Sequence, residues 1–204
     1  MQARNLIAAL VLGAAIAAGF ALALRNAGES PAPRTATILP AGNELPDFAL
    51  LDQDGTPVDR TVFAGQWDVV FFGFTHCPDI CPATMTVLGQ AKRELESRGQ
   101  VPLPRVVLVS VDPERDTPEA MAQYIGYFGD GNLGLTGEPE EIRKLTGALG
   151  IYFQKAGSED GNYGVDHSTV VLVIGPQGRL QALFSAPHRV EDLVHDLPLI
   201  MESG

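Results

Sequence analysis

The sequence predicts an α/β fold with a mixed central sheet flanked by helices, and three observations carry that prediction. Two apolar runs, residues 67–74 and 105–111, are continuous rather than alternating, as in strands covered on both faces. Between them, residues 82–98 place Met85, Leu88, Ala91 and Leu95 on one helical face. Towards the C-terminus, the runs 169–174 and 179–184 flank Gly175-Pro176-Gln177-Gly178, a hairpin signal. A strand–helix–strand unit followed by an antiparallel pair requires a sheet of mixed direction.

Taken in order, the chain opens with an N-terminal membrane anchor or signal peptide, residues 1–25. Residues 6–24 are uncharged between Arg4 and Arg25, just long enough for a single transmembrane helix across a hydrocarbon core of ~30 Å. A cleaved signal peptide with Ala21-Leu22-Ala23 as its small-residue site is the competing reading. Either one places the rest of the chain outside the cytoplasm. Residues 26–42 are small, polar and proline-containing and read as a linker, leaving 43–204 as the folded domain.

Phe48-Ala49-Leu50-Leu51 and the turn Asp52-Gln53-Asp54-Gly55-Thr56 open that domain as a β-hairpin. Thr117 is a helix N-cap with Pro118 at the first helical position, and that helix runs to about residue 128. A further helix spans 138–149, a short strand 151–155, and 157–164 is a polar loop. Residues 190–201 close the chain as a helix containing Pro198. This succession is the thioredoxin-like arrangement with an N-terminal hairpin and a helical insertion.

A formal charge of −11 and a pI near 4.7 argue against nucleic acid and against docking on anionic lipid heads. They are compatible with a basic protein partner or with cation traffic. The chain has 2 cysteines, too few for a disulfide scaffold, so a pair this closely spaced points to chemistry. Both lie in Thr75-His76-Cys77-Pro78-Asp79-Ile80-Cys81-Pro82, where a strand runs into a helix. Backbone N–H groups and the helix dipole favour thiolate there.

Cys77 and Cys81 stand at i and i+4, on one face of a helical turn, so their sulfurs can converge. That spacing permits a disulfide and equally permits two thiolates on one soft metal ion, for which Cu(I) is the natural candidate. Two sulfurs leave such a site open. His188 and His195 read as surface histidines beside the last helix, and His76 as a neighbouring electrostatic or hydrogen-bonding group. His167, in Val165-Asp166-His167-Ser168-Thr169, sits where a polar loop runs into the penultimate strand, which thioredoxin-like topology places opposite the cysteine helix. Two cysteines and one histidine suit Cu(I), and Cu(II) with an added ligand; zinc prefers a fourth ligand that is not evident.

Four blocks of sequence resemble the Sco (SenC) family: Gly73-Phe74-Thr75-His76-Cys77-Pro78-Asp79-Ile80-Cys81-Pro82, Val109-Ser110-Val111-Asp112-Pro113-Glu114-Arg115-Asp116-Thr117-Pro118, Leu135-Thr136-Gly137 and Val165-Asp166-His167-Ser168. The resemblance covers about residues 45–200. It implies a membrane-anchored thioredoxin-fold protein whose soluble domain faces the periplasm or an equivalent extracytoplasmic space. It further implies one copper per chain, held by Cys77, Cys81 and His167. The implied role is assembly of the binuclear copper site of cytochrome c oxidase subunit II, with a periplasmic copper donor protein as a second partner.

The same cysteines would be the redox pair of a thiol–disulfide oxidoreductase, the alternative function, because thiolates that bind Cu(I) also attack disulfides. Asp79 would then be a helix-start acid or a charge beside the sulfurs, and Asp166 the acceptor that orients His167. Residues 112–117 read as a loop and cap, and Phe71, Phe72 and Phe74 as core. A peroxiredoxin-like peroxidase is disfavoured, because Val70 and Phe74 stand where that class carries its proline and threonine before the nucleophile.

Overall fold

A computed structural model describes residues 13, 16–19, 32–157 and 163–203 of the chain. In chain order its strands are β1 (Thr37–Glu44), β2 (Leu50–Asp52), β3 (Pro57–Val58), β4 (Asp68–Gly73), β5 (Arg105–Ser110), β6 (Leu133–Thr136), β7 (Phe153–Gly157), β8 (Tyr163–His167), β9 (Val171–Ile174) and β10 (Arg179–Phe184). Its helices are α1 (Ile80–Ser97), α2 (Pro118–Gly126), α3 (Pro139–Leu149) and α4 (Val190–Ser203). The chain divides into two units, residues 1–32 and 33–204, and the second carries the sheet.

Strand β4 sits at the middle of an eight-stranded sheet of order β1-β10-β9-β4-β5-β6-β2-β3. All of its residues are buried, which is why its apolar run does not alternate. It runs parallel to β5, with Asp68 opposite Arg105 and Gly73 opposite Ser110, and antiparallel to β9 on its other edge. The crossover between β4 and β5 is α1, whose Met85, Leu88, Ala91 and Leu95 are buried. Each fully buried side chain of the Leu or Met class contributes about 1.5–3 kcal/mol. Helix α1 also packs on α4. Helix α2 starts as the sequence predicts, with the Thr117 side chain accepting from the Ala120 amide and Pro118 in the first turn. Helix α3 ends on Gly150 in the left-handed region, at φ 69°.

Four features differ from the sequence reading. The expected transmembrane helix is corrected: among the described residues no helix is long and apolar enough to cross a membrane. Of residues 6–24 only 13 and 16–19 are described, as helix, and the rest of that predicted span lies outside the described residues. Strand β1 falls largely within the stretch read as a linker and pairs antiparallel with β10. Strand β6 is short and contains Gly134, so its composition carries little strand signal. Residues 153–157 and 163–167 form a separate two-stranded sheet whose side chains are mostly exposed, which explains why no alternating apolar pattern announced β8.

One buried carboxylate fastens the N-terminal edge of the domain. Asp196 of α4 is fully buried and accepts hydrogen bonds from the amides of Arg34 (2.8 Å), Thr35 (2.8 Å) and Ala36 (2.9 Å), with the Thr35 hydroxyl at 3.1 Å. Burial pushes its pKa up, but these amides and the His195 side chain outweigh it and hold the carboxyl at about 2. A folded-state pKa below the unfolded value of ~3.9 stabilises the fold above that pH, and the gain fades as the pH falls towards 2. Asp196→Asn is therefore expected to lower the unfolding free energy at pH 7 by about 1–3 kcal/mol, the cost of buried donors left unpaired. Urea titrations of both proteins at pH 7 and near pH 2 check this: the gap closes at the acid end.

Candidate metal centre

The first turn of α1 brings the two sulfurs together. Four N–H groups at a helix start have no partner within the helix. Asp79, the residue before α1, is exposed and makes no side-chain capping bond. The Cys77 Sγ takes that place, accepting from the Cys81 amide at 3.4 Å. Pro82 costs nothing in this turn, since its missing N–H would be an unpaired one. Both cysteines are free thiols, Cys77 half-buried and Cys81 buried.

Cys81 lies against the last residue of β4. A Cβ built on Gly73 would stand 2.9 Å from the Cys81 Sγ and 3.0 Å from the Phe71 ring, closer than real atoms approach. Only glycine lets the sulfur settle there. Burial pushes the Cys81 thiol up, a reversal of the helix-terminus argument, which predicts thiolate. A bound metal must displace that proton, so loading and deprotonation are coupled at this sulfur.

His167 arrives from the end of β8. Its Nε2 is 3.4 Å from the Cys81 Sγ, and its Nδ1 is 3.0 Å from the Ser168 carbonyl. A carbonyl only accepts, so Nδ1 carries the proton and Nε2 presents its lone pair to the sulfurs. Burial lowers the His167 pKa, with the Ser168 bond and the Asp166 charge opposing, which favours the neutral, ligating form. Phe71 and Phe74 meet its ring edge-on at 5.7 and 5.9 Å between centroids. Those two phenylalanines thus frame the imidazole as well as filling the core.

The Cys77 Sγ, Cys81 Sγ and His167 ring nitrogen lie within 4.8 Å of one another, the one such cluster among the described residues. With bonds of about 2.0–2.3 Å, the lengths seen for zinc, a trigonal ion needs donor separations of about 4 Å. The 3.4 Å pair opens by a few tenths of an ångström to reach that, and the separations of up to 4.8 Å contract to it. Two sulfurs and one nitrogen with no oxygen ligand favour a soft ion over calcium or magnesium.

The other histidines stay outside the cluster. The His188 Nε2 donates to the Thr169 carbonyl at 2.6 Å, His195 pairs with Asp196 at 2.7 Å, and the His76 Nδ1 is 3.0 Å from the Thr75 hydroxyl. Asp166 is exposed, opposite Gln154 across the β7–β8 ladder, and acts on His167 only through its charge. The orienting acceptor is the Ser168 carbonyl instead.

The stretch 112–117, read as loop and cap, carries a further role. Asp116 is fully buried and accepts from the Thr75 amide (3.1 Å), the Thr75 hydroxyl (2.6 Å) and the Ser110 hydroxyl (2.6 Å). It ties the cysteine loop to the end of β5. Burial raises its pKa while the Ser110 and Thr75 hydrogen bonds oppose. The usable signals were Gly73, the one small residue interrupting an apolar strand, and Asp116, four residues beyond the acid that ends the neighbouring strand run. Gly73→Ala is expected to destabilise the reduced protein by about 1–3 kcal/mol through overpacking and to loosen metal binding at Cys81. Chemical denaturation and Cu(I) competition with a chelator check it; wild-type values in both would remove the contact from the account.

Residues 37–202 match the family model described as SCO1/SenC. The mitochondrial SCO2 homolog of Mus musculus is 38% identical over 165 residues, 80% of this chain and 65% of its own. The copper-bound crystal structure of Arabidopsis thaliana ScoI is 33% identical with a TM-score of 0.74, over 78% of this chain and 99% of that one. The copper-bound ScoI of Bradyrhizobium japonicum is 32% identical with a TM-score of 0.68, over the same shares, 78% and 99%. This chain belongs to the SCO1/SenC family.

Proposed function

We propose that this chain is a copper metallochaperone. It holds one copper ion, Cu(I) or Cu(II), through the Cys77 Sγ, Cys81 Sγ and His167 Nε2, and delivers it to the binuclear copper site of cytochrome c oxidase subunit II. The observation that carries the reading is the convergence of those three ligand atoms within 4.8 Å, from two elements far apart in sequence. The copper-bound relatives support the choice of metal. The oxidase step and a copper donor partner rest on the family resemblance. The same reading puts the domain in an extracytoplasmic space, which the mitochondrial relative supports.

The geometry suits holding and release alike. Cys81 is the guarded side of the site; Cys77 and His167 are both half-buried, and Cys77 is the more open of the two sulfurs. An incoming thiolate or imidazole of a partner meets Cys77 first. The Cys77 sulfur returns to the Cys81 amide as the metal leaves, so the departing state is already hydrogen-bonded. Cu(I) takes most of its binding strength from the two sulfurs with the imidazole as third ligand, whereas Cu(II) draws more on the imidazole.

A second reading, a thiol–disulfide reductase acting on the oxidase cysteines or in redox signalling, is favoured by one observation. The more exposed thiol stands at a helix start and the buried one four residues on, the asymmetry of an attacking and a resolving cysteine. His167→Ala is expected to weaken Cu(II) binding by about ten-fold or more and leave the fold intact; Cys77→Ser and Cys81→Ser each abolish tight Cu(I) binding. Metal titration with a circular dichroism control checks all three. The two readings separate when copper-loaded and metal-free reduced protein are each mixed with apo subunit II copper domain. Copper appearing in the acceptor supports the chaperone; disulfide reduction without delivery overturns it in favour of the reductase.

A further inference from the structure

His167 does not hang from the main sheet. Among the described residues strands β7 and β8 pair only with each other, so no ladder of the eight-stranded sheet fixes where the imidazole sits. Strand β8 is joined to the body of the fold by the buried Val165, by the Phe71 and Phe74 rings against His167, and by a clasp at Tyr163, its first residue. Tyr163 and His167 stand at i and i+4 of one strand and so share a face.

Arg115 is the centre of that clasp. Its guanidinium lies 3.8 Å over the Tyr163 ring, and its Nη1 donates to the Tyr163 carbonyl at 3.1 Å. Its Nε donates to Asp112, whose other carboxylate oxygen accepts from the Tyr163 hydroxyl at 2.7 Å. Asp112 is fully buried, so these bonds are shielded from water and worth more than surface contacts. The same guanidinium lies 5.8 Å from the centroid of Phe74, the ring that meets His167 edge-on. On β7, Lys155 pairs with Glu114 at 2.6 Å and lies 4.8 Å over the Tyr163 ring. Both strands of the pair are thus gripped by residues of the turn that follows β5.

We propose that Arg115 is a positioning residue for the third ligand: by clasping Tyr163 it stations β8 so that the His167 Nε2 faces the sulfurs before any metal arrives. The inference rests on the ligand assignment given above. Its logic is preorganisation. A ligand held in place spares the ion the cost of ordering a strand, and partners one step removed from a metal commonly change its affinity by about 10–100-fold. Cys77, in the loop before α1, and Cys81, in its first turn, are not among the residues of this clasp. Arg115 therefore tunes the site's preference between Cu(II) and Cu(I) and is not simply a stabiliser of the fold.

The test uses the full chain, reduced, with Cu(I) and Cu(II) affinities read by chelator competition and Cu(II) coordination by electron paramagnetic resonance. Arg115→Gln is expected to weaken Cu(II) binding by about ten-fold or more, shift the Cu(II) spectrum towards that of His167→Ala, and leave Cu(I) affinity within about two-fold. Tyr163→Phe, which removes only the hydroxyl bond to Asp112, follows in the same direction by less and carries the comparison should Arg115→Gln not fold. In the metal-free protein the amides of 163–167 exchange faster in either variant. Adding Arg115→Gln to His167→Ala produces no further loss. Equal losses for both ions, or a loss that persists on the His167→Ala background, overturn the inference. A normal response of His167→Ala with none from Arg115→Gln or Tyr163→Phe overturns this inference alone; unchanged Cu(II) binding in His167→Ala overturns the ligand assignment and this inference with it.

Discussion

The Cys81 side chain has no exposed surface, and its sulfur sits where a single added methyl on Gly73 would collide with it. Much of the site follows from that contact. It fixes the start of α1 against the end of β4, and with it the direction in which Cys77 points. It raises the thiol, so a metal meets a protonated sulfur and must displace its proton. The His167 Nε2 stands 3.4 Å from the same sulfur. A helix-start cysteine in open solvent would be more acidic and less selective.

Among the described residues each fully buried carboxylate has a partner. Asp116 holds Thr75 and Ser110, and Asp112 holds Arg115 and Tyr163. Both acids come from the turn after β5, beside the strand that delivers the cysteines. One fastens the cysteine loop and the other the histidine strand, so one short turn supports both halves of the site. Leaving either carboxylate without its donors would cost far more than a surface ion pair.

The sequence disclosed the parts of the site that depend on residue type and left hidden those that depend on contact. Two cysteines at i and i+4 after an apolar run, with a histidine before the penultimate strand, pointed to the three residues that the fold brings within 4.8 Å. The central strands were legible because β4 and β9 are buried on both faces and so read as unbroken apolar runs. Strand β8 was not, since only Val165 of its residues is buried and its neighbour β7 is mostly exposed. Asp166 looked like the orienting group because it adjoins His167, but a strand turns adjacent side chains to opposite faces. The Ser168 carbonyl serves instead, and a backbone atom leaves no trace in composition. Arg115 and Asp116 looked like an ordinary charged turn; only their burial and partners distinguish them.

X-ray absorption at the copper edge of the reduced, Cu(I)-loaded protein tests the central claim most directly. Two sulfur scatterers and one imidazole nitrogen around a single three-coordinate ion are the predicted result, with the nitrogen lost in His167→Ala. A shell of sulfur alone, or a histidine contribution that survives that substitution, would contradict it.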